Sequence, residues 1–134
     1  MIVKQVSVFV ENTVGRLADL TKILTDNNID LKASTIAETV DFGILRCIVE
    51  EPEKTVKILV ENGFSASISE VTGVSLEDKP GGLHKVLAVL AEAGIAVNYI
   101  YSTIKSAEGK AIIMMKTSDA AKAEEVLKAS GVEL

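Results

Sequence analysis

Val8-Phe9-Val10-Glu11-Asn12-Thr13-Val14-Gly15-Arg16-Leu17 lies over Val74-Ser75-Leu76-Glu77-Asp78-Lys79-Pro80-Gly81-Gly82-Leu83 when the sequence is slid against itself by 66 residues. Each stretch starts like a strand, passes through polar residues to a glycine, and enters the first leucine of an apolar helical stripe. The register continues without a gap, placing Leu20 over Val86, Leu24 over Leu90, Asn28-Ile29 over Gly94-Ile95 and Gly43 over Gly109. About two additional residues enter near Thr117 to Asp119, after which Leu59 matches Leu127 and Gly63 matches Gly131. A match that runs through both halves marks an internal duplication, so the half is the unit to be read.

Within each half the hydrophobic period changes in a fixed order. Val6, Val8 and Val10 alternate with Gln5, Ser7 and Phe9, which is strand spacing with one buried face. Leu17, Leu20, Ile23 and Leu24 then fall on one helical stripe, which Asn27-Asn28 stops. Ile29 to Ala37 alternates again, and Ile44 to Val49 suits a central strand. Pro52 fits the first turn of a second helix with Val56, Leu59 and Val60 as its apolar stripe and Glu53, Lys57 and Glu61 as its solvated face. Gly63 closes that helix, and Phe64 to Ile68 returns as a strand. The second half repeats the order, with a strand from about Val71, a helix from Pro80, strands near Ile95 and Lys110, a helix over Ser118 to Ser130 and a very short last strand, Val132-Glu133-Leu134. The predicted fold is α+β: two tandem ferredoxin-like βαββαβ units over residues 1–68 and 69–134, each an antiparallel sheet with helices on one face. Ser65 to Ser75 has no linker composition and reads as a near-continuous strand-like run from one unit into the next.

Composition narrows the function. The formal net charge is −5 and there is no Trp, so the chain offers neither the clustered cations nor the stacking surface that nucleic acid demands. No window approaches the roughly 18 uninterrupted apolar residues that a membrane-spanning helix needs. Met1-Ile2-Val3-Lys4-Gln5 lacks the pattern of a signal peptide, and the single cysteine, Cys47, excludes an internal disulfide; a cytoplasmic protein is expected. A glycine-rich phosphate loop with lysine, a Cys-x-x-Cys pair and a Ser or Cys nucleophile motif are all missing from the sequence, so neither cofactor nor metal is expected.

The loops that open the first helix of each half carry the most chemistry. Polar residues lead to a glycine where backbone N–H groups and the positive end of the helix dipole emerge. Glycine there lets an anionic group, such as an amino acid's carboxylate, reach the backbone without meeting a side chain. Asn12 or Asp78 would then meet the ligand's ammonium group. Helix capping within a tight turn accounts for the same residues.

Asn12-Thr13-Val14-Gly15-Arg16-Leu17 and Asp78-Lys79-Pro80-Gly81-Gly82-Leu83 resemble the Asp/Asn-x-Pro-Gly-x-Leu signature of the ACT domain family, small-molecule-sensing modules that regulate amino-acid metabolism. Asn28-Ile29-Asp30 and Gly94-Ile95-Ala96 resemble the helix-to-strand step that follows it, and Ile36 to Arg46 is similar to small stand-alone tandem ACT proteins. The first loop departs from the signature by carrying Val14 in place of proline. The resemblance implies a non-catalytic amino-acid sensor, with the ligand bound at interfaces between ACT units. A detached regulatory subunit of an amino-acid biosynthetic enzyme, such as acetolactate synthase, is the alternative partner-binding role. A small enzyme on the same fold, of the acylphosphatase kind, would need a positioned arginine, for which only Arg16 or Arg46 is on offer.

Arg46 interrupts the apolar strand Ile44 to Val49 and stands opposite Ile112 in the repeat. It suits a bidentate carboxylate clamp, and equally a place on the open sheet face or a pair with an acid. Tyr99 and Tyr101 share one strand face and suit either a pocket lining or interface packing. His84 is expected on the solvated side of its helix, and Cys47, Met114 and Met115 in the core. A homodimer is expected, because Val3 and Phe9 fall near the face opposite Val8 and Val10, where a partner would cover them.

Overall fold

A computed structural model describes residues 1–104, 106 and 108–134. Among these residues six strands and four helices follow one another as βαββαβαββα. The chain divides into two compact units, Lys4–Ser69 and Glu70–Leu134, the second of which also includes Met1–Val3.

The Lys4–Ser69 unit contains most of β1 (Ile2–Glu11), then α1 (Arg16–Asp26), β2 (Ala33–Glu38), β3 (Phe42–Ile48), α2 (Pro52–Glu61) and the start of β4 (Ser65–Glu77). Its strand order is β2-β3-β1-β4, with β3 antiparallel to both β1 and β2. Val6, Val8 and Val10 from β1 and Leu45 and Cys47 from β3 meet Leu20 and Leu24 of α1 and Leu59 of α2 in one core. Leu20 and Leu59 have no exposed surface. Each contributes roughly 1.5–3 kcal/mol by leaving water. Asn27 closes α1, its side-chain amide donating to Ile23 O at 2.8 Å, and Asn28 turns the chain at φ 56°. The next amide, Ile29 N–H, returns to Leu24 O at 2.8 Å, so β2 begins only at Ala33 and not at Ile29.

Pro52 lies in the first turn of α2, but the buried stripe of that helix is Thr55 and Leu59, while Val60 is 53% exposed. Thr55 tolerates burial because its hydroxyl donates to Glu51 O at 2.9 Å within its own helix, which leaves its methyl group for the core. The solvated face is as expected, and Glu53 on it pairs with Lys4.

In the second unit the remainder of β4, α3 (Gly82–Glu92), β5 (Val97–Ser102), β6 (Lys110–Thr117) and α4 (Ala120–Ala129) follow in order. β6 lies between β4 and β5 and is antiparallel to both, with a register shift between Val97 and Tyr99. Val74 and Met115 from the sheet pack against Val86 and Leu90 of α3 and Ala123 and Leu127 of α4. Asp119 caps α4 by accepting from Lys122 N–H at 3.0 Å, so the helix starts after Ser118.

The expected last strand, 132–134, shrinks to one bridge between Glu133 and Ser75. Its place beside β4 is shared: Gly73 N–H donates to Met1 O at 2.7 Å, and Met1 N donates to Gly73 O at 3.0 Å. Met1 thus occupies the edge of β4 at Gly73 and Glu133 occupies it at Ser75.

Candidate functional site

In the first loop Asn12 N–H donates to Asp41 O at 2.9 Å, Thr13 N–H to Glu11 O at 2.8 Å and Arg16 N–H to Thr13 O at 3.3 Å. These bonds turn the chain sharply out of β1 and into α1. Gly15 is the N-cap at φ 85°, ψ −11°, and no side chain caps the helix. A Cβ on Gly15 would touch nothing within 4 Å, so glycine is here for its dihedral freedom and leaves open space over the helix end. The aligned peptide dipoles put about half a positive charge at such an end, worth about 0.3–1 kcal/mol to an exposed anion.

The side chains of this loop point in different directions. Asn12 Nδ2 donates to Thr39 O at 3.3 Å, which ties the loop to the turn between β2 and β3. Arg16 Nε donates to Glu11 Oε2 at 2.6 Å, and the guanidinium lies 4.0 Å from the centre of the Phe64 ring. That bond holds the Glu11 carboxyl below its usual range. Val14 is fully exposed and Leu17 is partly so. Between the loop and the β2–β3 hairpin lies a cleft of about 300 Å³, lined by Asn12, Thr13, Leu17, Ile36, Glu38 and Gly43.

The second loop repeats this backbone. Asp78 N–H donates to Gly109 O at 3.1 Å, Lys79 N–H to Glu77 O at 2.9 Å and Gly82 N–H to Lys79 O at 3.0 Å. Gly81 is the N-cap at φ 89°, ψ −12°, again with no side-chain cap and with open space at its Cβ position. Pro80 precedes it, Leu83 packs against the core, and Lys79 pairs with Glu77, whose carboxyl is held low by that contact first and by Lys85 and Lys110 less. This loop is tighter than the first, because a Cβ on Gly82 would lie 2.1 Å from Glu77 O. The cleft beside it, about 180 Å³, is lined by Glu77, Gly82, Lys85, Lys110, Gly131 and Glu133.

The structure therefore brings Asn12, Thr13 and Leu17 into one cleft and Gly82 into another. Arg46 lies elsewhere: it faces Ser7 and Thr35 in register, on the face of β3 opposite the core residues Leu45 and Cys47. Tyr99 and Tyr101 stack with ring centroids 6.4 Å apart, in register with Lys116 and Met114. His84 is exposed, and Cys47 is buried, its thiol pushed up to about 11 by desolvation. Among the described residues no group of three or more His, Cys, Asp or Glu side chains is placed to hold a metal ion, and no helix is long and apolar enough to cross a membrane.

Sequence reasoning missed a larger cavity of about 470 Å³ in the second unit, lined by Met1, Val3, Gly73, Ile112, Met114 and Leu134 and sharing Ser75, Lys110 and Glu133 with the cleft beside the second loop. Its signals were a glycine inside a strand and Ser75 where the first half has Phe9.

A ferredoxin-like unit present twice, each with a glycine-capped helix after its first strand, is the architecture of paired small regulatory domains. The model of the ACT domain pair matches residues 1–133, and the chain belongs to that family. It is similar to the protein BT0572 from Bacteroides thetaiotaomicron, with 42% identity over 99% of this chain and 91% of that one and a TM-score of 0.93. It shares its fold with the ligand-free regulatory subunit of aspartate kinase from Thermus thermophilus, at 16% identity, 96% and 90% coverage and a TM-score of 0.71. The corresponding subunit from Thermus flavus is 15% identical, with 94% and 88% coverage and a TM-score of 0.65. Among curated proteins none matches the chain.

Proposed function

We propose that the protein is a non-catalytic amino-acid sensor, in which the repeats over 1–68 and 69–134 each present one glycine-capped helix end to the ligand's carboxylate. The observation that carries this reading is the pair of left-handed N-cap glycines, Gly15 and Gly81, both without a side-chain cap and both with open space above them. Two loops of different sequence that keep the same uncapped end are better accounted for by an anion than by capping alone. In the first loop, the Asn12 side-chain oxygen would take the ammonium group while its Nδ2 stays on Thr39 O, and Leu17 and Ile36 would meet the side chain. In the second, Asp78 would take the ammonium group. The working form is a homodimer in which a unit of the second copy completes each site. The receiving partner is a metabolic enzyme, the role that the Thermus subunits of the same fold hold for aspartate kinase.

A thermal-shift screen against the twenty amino acids tests this. A ligand at 100 times its dissociation constant adds about 2.7 kcal/mol to a folded state that alone binds it. Gly15→Asp and Gly81→Asp then place a negative charge where the carboxylate sits, and calorimetry is expected to show weaker binding in at least one. Unchanged affinity in both and in the double variant, each folded, would put the ligand elsewhere. Light scattering that gives 14.2 kDa at micromolar concentration would refute the dimer.

A further inference from the structure

Three large apolar side chains at one end of the first unit face water: Phe9 is 54%, Phe42 47% and Val40 91% exposed. Ile44, opposite Phe9 in register, is half-buried and points away from the core as Phe9 and Phe42 do. By the 66-residue offset, the second half carries Ser75, Ser106, Glu108 and Lys110 where the first has Phe9, Val40, Phe42 and Ile44. The second unit forms the matching strands β4 and β6 with polar residues at these positions, so the fold does not require apolar ones. A cluster of apolar side chains that folding leaves in water marks a contact surface. The turn between β2 and β3 holds that surface in a fixed shape. Thr39 N–H donates to Phe42 O at 2.6 Å and Phe42 N–H to Thr39 Oγ1 at 3.1 Å, while Asn12 donates to Asp41 O and Thr39 O from the neighbouring loop. A surface fixed before contact loses little freedom when it is covered.

Charge decides what covers it. Glu38 and Asp41 flank Val40 with exposed carboxylates, while Glu11, opposite Phe42 in register, is already paired with Arg16. Arg46 lies on the same strand face beyond Ile44, beside Ser7 and away from the turn. The turn end of the patch is therefore acidic. It would repel an anionic lipid surface or a nucleic acid, and a second copy centred on the same turn would set Glu38 and Asp41 against themselves. Apolar side chains flanked by carboxylates fit a segment with an apolar face and neighbouring Lys or Arg. We propose that this patch docks an amphipathic, basic segment of a different protein. Val40, Phe42 and Phe9 cover its apolar side chains, and Asp41 and Glu38 meet its cations. The assignment rests on the proposed function in one respect, that occupancy is passed to a partner protein. Asn12 joins this turn to the first glycine loop, and Glu38 also lines that loop's cleft, so a ligand in the cleft and a partner on the patch would bias the same turn.

Fluorescence anisotropy tests the assignment with a labelled amphipathic helical peptide made only of leucine and lysine, beside its counterpart with glutamate in place of every lysine. The lysine peptide is expected to bind the wild-type protein at least about tenfold more tightly than the glutamate peptide. Val40→Ser with Phe42→Glu, the residues of the second repeat at two exposed positions, is expected to lower that affinity at least about tenfold. Asp41→Asn with Glu38→Gln should weaken it and flatten its dependence on salt. Val40→Ser alone, in a turn where the side chain meets water, serves if the paired change does not fold. Lysine-peptide affinity unchanged in the folded Val40 variants would overturn the surface. Equal affinity for the two peptides would overturn the basic partner, and no binding of either would overturn both. A fall in mass by light scattering in Val40→Ser/Phe42→Glu would give the patch to a second copy, and loss of binding to phosphatidylcholine vesicles in that variant would give it to a membrane; either result refutes the proposal. The peptide assay needs no amino acid, so peptide binding alongside a blank thermal-shift screen would leave this surface standing and remove the sensor.

Discussion

Gly82→Ala is the sharpest test of how the second loop is built. The new Cβ would lie 2.1 Å from Glu77 O, a backbone atom already held by Lys79 N–H at 2.9 Å, so no side-chain rotation relieves the contact. Forcing one additional carbon into a packed site costs about 1–3 kcal/mol. Gly82 opens α3, and alanine's better helix propensity returns at most about 1 kcal/mol. With that return in full, the net loss is at most about 2 kcal/mol. A chain of this length loses about 3–5 °C of Tm per kcal/mol, so a fall of up to several degrees is expected. Urea unfolding followed by circular dichroism, with the slope m unchanged, is the assay. The comparison is Arg16→Ala, at the same position of the first loop, where a Cβ is already present and this clash does not arise. Gly82→Ala as stable as wild type would refute the claim that Glu77 O and the start of α3 are held this close.

Two further outcomes follow from electrostatics and burial. Glu11 has its folded-state pKa lowered by the Arg16 contact, so the pair contributes stability that is full above the unfolded value of 4.5 and is lost as pH falls through the lower folded value. Glu11→Gln should therefore flatten part of the acid limb of a stability-versus-pH curve while leaving its neutral side nearly level; an unaltered acid limb would show that the pair is not formed. Cys47, buried with its thiol pushed up to about 11, should react with a thiol reagent at pH 8 only as fast as the protein opens, and at the rate of a free thiol in urea; fast labelling of the native protein would contradict its burial.

The two helix caps are alike in backbone and unlike in side chains. Arg16 stacks on Phe64 and restrains Glu11, whereas the second loop has no side chain at Gly82 and holds Glu77 through Lys79 instead. A ligand would therefore meet a cation restrained by stacking at one end and a close backbone at the other. The two repeats share the turn and differ in their walls, with Gly73, Ser75 and Ile112 standing where the first half has Ser7, Phe9 and Arg46.

The order of elements, the two glycine turns and most of the core were legible without coordinates, because each depends on neighbours within a few residues. The alternation of Val6, Val8 and Val10, the spacing of Leu20 and Leu24, and a glycine ahead of each helix are local statements about dihedral angles and one buried face. Seeing them twice in register turned a short motif into a family. What lay beyond the sequence depends on residues far apart along the chain. Thr55 displaced Val60 from the buried stripe because the sheet, and not the helix, sets which face turns inward. Met1 took the edge of β4 at Gly73 and Glu133 took it at Ser75, so two distant segments share one row of hydrogen-bonding groups. Gly82 reads as mere flexibility until Glu77 O stands 2.1 Å from its missing Cβ, and Ser75 as an ordinary strand residue until Val3, Ile112 and Met114 surround the space it leaves. Periodicity encodes which face a residue shows, whereas the chain's return from a distance decides what that face meets.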